Sequence, residues 1–250
     1  TRLRIARLFK MSTSNRLMGS TYLGNQLVGL LPYLRNDEVD AVFIGAGSND
    51  FFYYSNDFTL TGSFKPKKNV VISVDFIDAV AGSLLAAVDI ARAAGAKKVV
   101  LSLLPMGTAS ADAGSAEVLA GIATVNDILR AGAKERDIAV VDLFGFATDP
   151  ARSNEDGSVN IAGRVLPIDS AATVDHLVAA DTAGAGPCNS SGLCAGPDHA
   201  DHYRAEDGLH PNTLIQGLIA NQVLSALNGH YGLAIALLSD EEIVALTAAQ

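Results

Sequence analysis

Apolar residues along the chain recur at two spacings, and the alternation between the spacings sets out an architecture. Asp40–Gly45 (DAVFIG) is a short, nearly continuous apolar run closed by glycine. It predicts a strand buried on both faces, with Ala46–Asp50 as the loop at its carboxyl end. Ile77–Gly95 carries Ala and Leu at helical period and stops at Gly95. Lys97–Leu104 then reads as a strand ended by Pro105, and Ser115–Gly132 as a second helix with Ser115 offered as its cap. Asp137–Phe144 is a third strand. Strands separated by helices of this length imply a parallel sheet with helical crossovers, and hence the α/β class.

The two ends of the chain break this rhythm. The opening Thr1–Lys10 shows no obvious strand and no signal-peptide pattern, and suggests a chain that starts part-way into its domain. Thr148–Pro197 is rich in Gly, Asp, Asn, Ser and Pro, with short apolar pieces such as Arg164–Ile168. It reads as part of a long loop excursion over about 148–206 holding one hairpin. A helix is expected over Pro211–Asn228, with Pro211 in its first turn. A helical tail over about 229–250 follows, in which Ser239-Asp-Glu-Glu242 forms a capping box. The whole is expected to be one domain, residues 1–250.

Composition narrows the function. Hydrophobic residues make up 49% of the 250, enough for a large core, and the formal charge is −9. That sign opposes nucleic-acid wrapping and polybasic membrane contact. The lack of Trp and only 6% aromatic content disfavour base stacking. No apolar run is long enough to span a bilayer.

Two short motifs carry the chemistry. Gly47-Ser48-Asn49-Asp50 sits at the carboxyl end of the first clear strand, where open α/β sheets bind their ligands. An Asn amide there can donate to a developing oxyanion. Asp207-Gly208-Leu209-His210 precedes a helix, so its carboxylate can orient the imidazole of His210 and stabilise the imidazolium. Each alone is equally a turn or a helix cap. Together, in this order and about 160 residues apart, they are far more specific.

On these residues the chain resembles the SGNH/GDSL hydrolases. Gly47–Asp50 looks like the family's third block and Asp207–His210 like its fifth. The resemblance implies a three-layer flavodoxin-like domain, mainly parallel and without its first strand here, that cleaves esters with a serine nucleophile and no metal or other cofactor. His210 would be the base, Asp207 its orienter and Asn49 an oxyanion donor, with Gly47 shaping the substrate side. Gly19, 30 residues before Asn49, would supply the second block's backbone N–H. The family's Gly-Asp-Ser block occurs nowhere in the chain, which places the nucleophile upstream. Ser12, Ser14 and Ser20 are candidate substitutes within the chain, each better suited to a cap or a turn.

The implied partner is a small-molecule, lipid or glycan ester. The alternative is a relative without a nucleophile that binds an acylated or glycan ligand unchanged. Cys188 and Cys194 lie six apart among Gly, Asn and Ser, where a loop disulfide fits and would place the protein in the periplasm or outside the cell. A zinc site shared with His199 and His202 is the lesser alternative, and the basis of a third reading, a metal-stabilised interaction module. Other patterns read as decoys. Gly45-Ala-Gly47 departs from the dinucleotide fingerprint, because Asp50 replaces the third glycine and FFYYSND does not open a helix. Asp198, His199, Asp201 and His202 read as a hydrophilic loop, and Asn154–Gly157 as a polar turn rather than a calcium loop. Phe51–Tyr54 are expected to divide between packing and an acyl pocket.

Overall fold

A computed structural model describes residues 5–9, 23–58, 64–67, 69–105, 115–143, 152–154, 158–167, 201 and 211–248, with backbone alone at 5–9, 57–58, 64–66, 115 and 248. The chain groups into two compact units, Thr1–Ala147 with Ala226–Leu233, and Thr148–Ser225 with Ala234–Gln250.

The first unit is built on a four-stranded parallel sheet of β1 (Ile5–Phe9), β2 (Ala41–Gly45), β5 (Val99–Ser102) and β6 (Ala139–Val141), neighbours in that order. The register runs Ile5 to Ala41, Val42 to Val99 and Val100 to Ala139. Because spatial order follows chain order, right-handed crossovers place the connecting helices on one face. These are α1 (Leu23–Arg35), α3 (Val74–Ala93) and α4 (Ser115–Glu135), and α3 packs against both others. The first four residues of β2 and all of β5 are buried, as expected for strands covered on both faces. The α/β class and the parallel sheet expected from the sequence are present.

Helix α3 follows from its pattern. Ile77, Val80, Ala81, Leu84, Ala87, Val88 and Ala91 form its buried stripe, and the Ser73 hydroxyl caps it by accepting from Phe76 N at 3.2 Å. Tyr231 holds the start of β5: its hydroxyl accepts from Val99 N and donates to Val99 O, both at 2.9 Å.

Several expectations need correction. A strand, β1, does form at Ile5–Phe9, where the sequence shows no obvious strand; Arg7 interrupts its apolar run, but pairing to β2 satisfies its backbone. Helix α1 is masked in the sequence by Gly24, Gly29 and Pro32, which look like breakers. Its buried stripe of Leu23, Leu27, Leu30 and Leu34 nevertheless has helical spacing. Ser48–Asp50 belong to a helix, α2 (Ser48–Ser55), and not to a loop. A small antiparallel pair, β3 (Asn56–Phe58) with β4 (Phe64–Pro66), follows it.

In the second unit β7 (Ser158–Ile161) and β8 (Arg164–Pro167) make a hairpin within the excursion. Helix α5 runs from Thr213 to Tyr231, so Pro211 precedes it rather than filling its first turn. Buried Asn212 takes the cap, its Oδ1 accepting from Ile215 N at 3.1 Å. Helix α5 passes the expected Asn228 boundary, and α6 (Asp240–Ala248) forms the rest of the tail. The capping box is present: Ser239 N donates to Glu242 Oε2 at 2.7 Å, and Glu242 N donates to Ser239 Oγ at 3.2 Å.

Candidate active site

Strand β2 delivers Gly45 to the carboxyl edge of the sheet, and the chain turns there in two residues. Gly47 is the N-cap of α2, with φ 103° and ψ −24°. A β-carbon at this position would stand 3.3 Å from Leu104 Cδ2 and 3.4 Å from its Cδ1 and Cγ. The turn therefore demands glycine twice over, by dihedral angle and by space. Asp50 N donates to Gly47 O at 3.1 Å, closing the first turn of α2.

This geometry carries Ser48, Asn49 and Asp50 into the first turn of a helix, where backbone N–H groups point outward and the dipole favours negative charge. Asp50 is buried, whereas Ser48 and Asn49 are half-buried. The Asn49 carboxamide has no hydrogen-bond partner among the described residues. An amide at a helix N-terminus, on the carboxyl edge of a parallel sheet, can donate to an anion forming on a substrate.

The aromatic run after the motif is divided by the helix. Phe51 is fully buried, with its ring edge-to-face to Phe76 at 5.1 Å between centroids. Tyr54 is half-buried, lies 4.3 Å from Phe76 and donates its hydroxyl to Val71 O at 3.0 Å. Tyr53 is exposed. Phe51 therefore belongs to the core and not to an acyl pocket. The aromatic run does open as a helix, which corrects one of the two grounds for setting the dinucleotide fingerprint aside. The other ground stands, since buried Asp50 occupies the third glycine's place.

Gly47 and Asn49 are thus brought together. Gly19, Asp207, His210, Ser12, Ser14, Ser20, Cys188, Cys194, His199 and His202 lie outside the described residues. Among the described residues no group of three or more His, Cys, Asp or Glu stands together as a metal site. Asp201 pairs with Arg164. Asn154, weighed as a calcium ligand, instead ties the hairpin: it donates to Ser158 Oγ at 2.8 Å and accepts from Asn160 at 2.9 Å.

Asn126 is the residue that sequence reasoning passed over. It is buried on α4 and hydrogen-bonds both backbone groups of Leu104, the residue under Gly47. The available signal was one amide among the apolar residues Val118, Ile122, Val125 and Leu129.

Residues 6–160 match the model of the GDSL-like lipase/acylhydrolase family, and the chain belongs to that family. It is therefore a hydrolase of the ester-cleaving type in general. Its α/β fold is consistent with the flavodoxin-like arrangement of SGNH hydrolases. Among solved structures it is similar to a Bacteroides fragilis NCTC 9343 protein named a "putative acylhydrolase". The two are 19% identical over 82% of this chain and 69% of that one, with a TM-score of 0.44. No curated protein matches the chain. Among the described residues no helix is long and apolar enough to cross a membrane.

Proposed function

We propose that the protein is a carboxylic ester hydrolase of the serine type, acting on a small-molecule, lipid or glycan ester. The observation that carries the reading is the left-handed Gly47 turn, which sets the Asn49 amide at the head of α2 on the carboxyl edge of the sheet. In the reaction a serine hydroxyl attacks the ester carbonyl carbon, and His210, oriented by Asp207, accepts its proton. The carbonyl electron pair moves onto oxygen, which takes hydrogen bonds from the Asn49 amide and the Gly19 N–H. Collapse breaks the bond to the alcohol, which leaves with the proton from His210. Water, deprotonated by the same imidazole, then attacks the acyl carbon, and the serine oxygen leaves with the proton from His210 as the acid is released. The serine belongs to a Gly-Asp-Ser block that these 250 residues do not contain.

The test is turnover of short-chain nitrophenyl esters by the intact gene product. Asn49→Ala is expected to lower kcat by about 10²–10³, and His210→Ala to abolish turnover. A change confined to KM would reassign Asn49 to substrate binding.

A second reading is a relative that binds an acylated or glycan ligand without cleaving it. Wild-type protein that binds such ligands and turns over none of the esters would establish it. The proposal extends to action outside the cell or in the periplasm, with Cys188 bridged to Cys194. Two free thiols in unreduced protein would overturn the bridge.

A further inference from the structure

The carboxyl end of β5 is held in an unusual way. Leu103 N donates to Val141 O at 2.9 Å, and β6 ends at that residue. One residue further on, the sheet no longer supplies a partner. Asn126 takes its place: Nδ2 donates to Leu104 O at 3.0 Å, and Oδ1 accepts from Leu104 N at 2.8 Å. Just past the end of β5 the carboxamide supplies the acceptor and the donor that a neighbouring peptide would. Both Asn126 and Leu104 are 1% exposed. An apolar side chain at 126 would leave two backbone groups unpaired in the core. Leu104 is thus fixed along its strand, and its isobutyl group forms the floor beneath Gly47, with atoms 3.3–3.4 Å from where a β-carbon would be. Gly47 in turn caps the helix that bears Asn49.

We propose that Asn126 is a positioning residue for the Asn49 amide, acting through Leu104 and the Gly47 turn. The inference rests on the ester-hydrolase reading for its catalytic consequence but not for its geometry, so it is tested on both. On the intact gene product, with a short-chain nitrophenyl ester, Asn126→Ala is expected to lower kcat by about 10–100-fold with KM nearly constant, as a small misplacement of a catalytic donor does.

The decisive comparison is the double variant. If Asn126 works by placing Asn49, then Asn49→Ala with Asn126→Ala loses no more than Asn49→Ala alone. Losses that multiply overturn the proposal. Asn126→Asp supplies a gentler variant. Its protonated carboxyl has one donor and one acceptor and restores both bonds, so its turnover relative to wild type should rise towards acid pH. A flat ratio counts against the proposal.

Amide hydrogen exchange needs no activity. Asn126→Ala should speed exchange across Gly45–Phe52 while leaving α1 at its wild-type rate. Equal changes in both segments, or none at Gly45–Phe52, overturn the placement. Wild-type protein with no turnover would remove the hydrolase reading and leave exchange to decide the role of Asn126.

Discussion

Replacing Gly47 with alanine tests the turn on which the site is built. At φ 103° and ψ −24° the backbone lies where glycine is comfortable and an L-residue is strained, at a cost of about 1–3 kcal/mol. The new methyl would also press on three Leu104 atoms at 3.3–3.4 Å. The Leu104 backbone is held by its two bonds to Asn126, so relief must come from its buried side chain. Overpacking of this kind costs about 1–3 kcal/mol, and the two effects overlap, so a total of about 2–4 kcal/mol is expected. For a chain of this size that lowers Tm by about 4–16 °C. Gly82→Ala is the control. Gly82 lies on the exposed side of α3, and a β-carbon there meets nothing within 4 Å. It should raise stability by about 0.5–1 kcal/mol through helix propensity. Thermal unfolding followed by far-UV circular dichroism compares the pair. A Gly47→Ala protein that melts with or above wild type would refute the strained turn.

Other substitutions test the surroundings. Phe51→Ala should cost about 3–5 kcal/mol in denaturant unfolding, since the ring is wholly buried against Phe76; a loss below 1 kcal/mol would return it to the pocket. Ser239→Ala should cost about 1 kcal/mol by removing the cap of α6, and an unchanged denaturant midpoint would refute that. The Arg136 guanidinium, donating from Nε and Nη2 to both Asp89 oxygens at 2.8 and 2.9 Å, holds that carboxyl below its ordinary range. A depressed folded value means that the pair's contribution is complete above the ordinary carboxylate pKa and is lost as pH falls through the lowered one. Asp89→Asn should therefore be less stable at neutral pH by under about 1 kcal/mol, because the pair is solvent-screened. That gap should close in acid, and a gap that widens there would refute the pairing.

The elements legible in the sequence are those with one uninterrupted period. The regular apolar runs of β2, β5, α3 and α4 announce themselves, and boundaries shift by only a few residues. Helix α1 hides because two glycines and a proline obscure a leucine stripe. Helix α2 hides because Gly-Ser-Asn-Asp is good turn chemistry and FFYY suits a strand; only the left-handed Gly47 makes both a turn and a helix fit into so few residues. The strand-end rule found Gly47 and Asn49, whereas Asp207 and His210 rest on their motif alone. Asn126 could not be read, because a lone amide on an amphipathic helix looks solvated until its partner, a peptide from a distant strand, is known.

The bond between Tyr231 and Val99 bears on how the chain is made. The first unit includes residues 226–233, so its contacts join segments far apart in sequence. The groups that meet at Val99 are 132 positions apart. A nascent chain can assemble β2, α3 and β5 while still being translated, but the start of β5 must keep its amide and carbonyl in water until the last turn of α5 leaves the ribosome. This unit cannot close until residues 226–233 have been made.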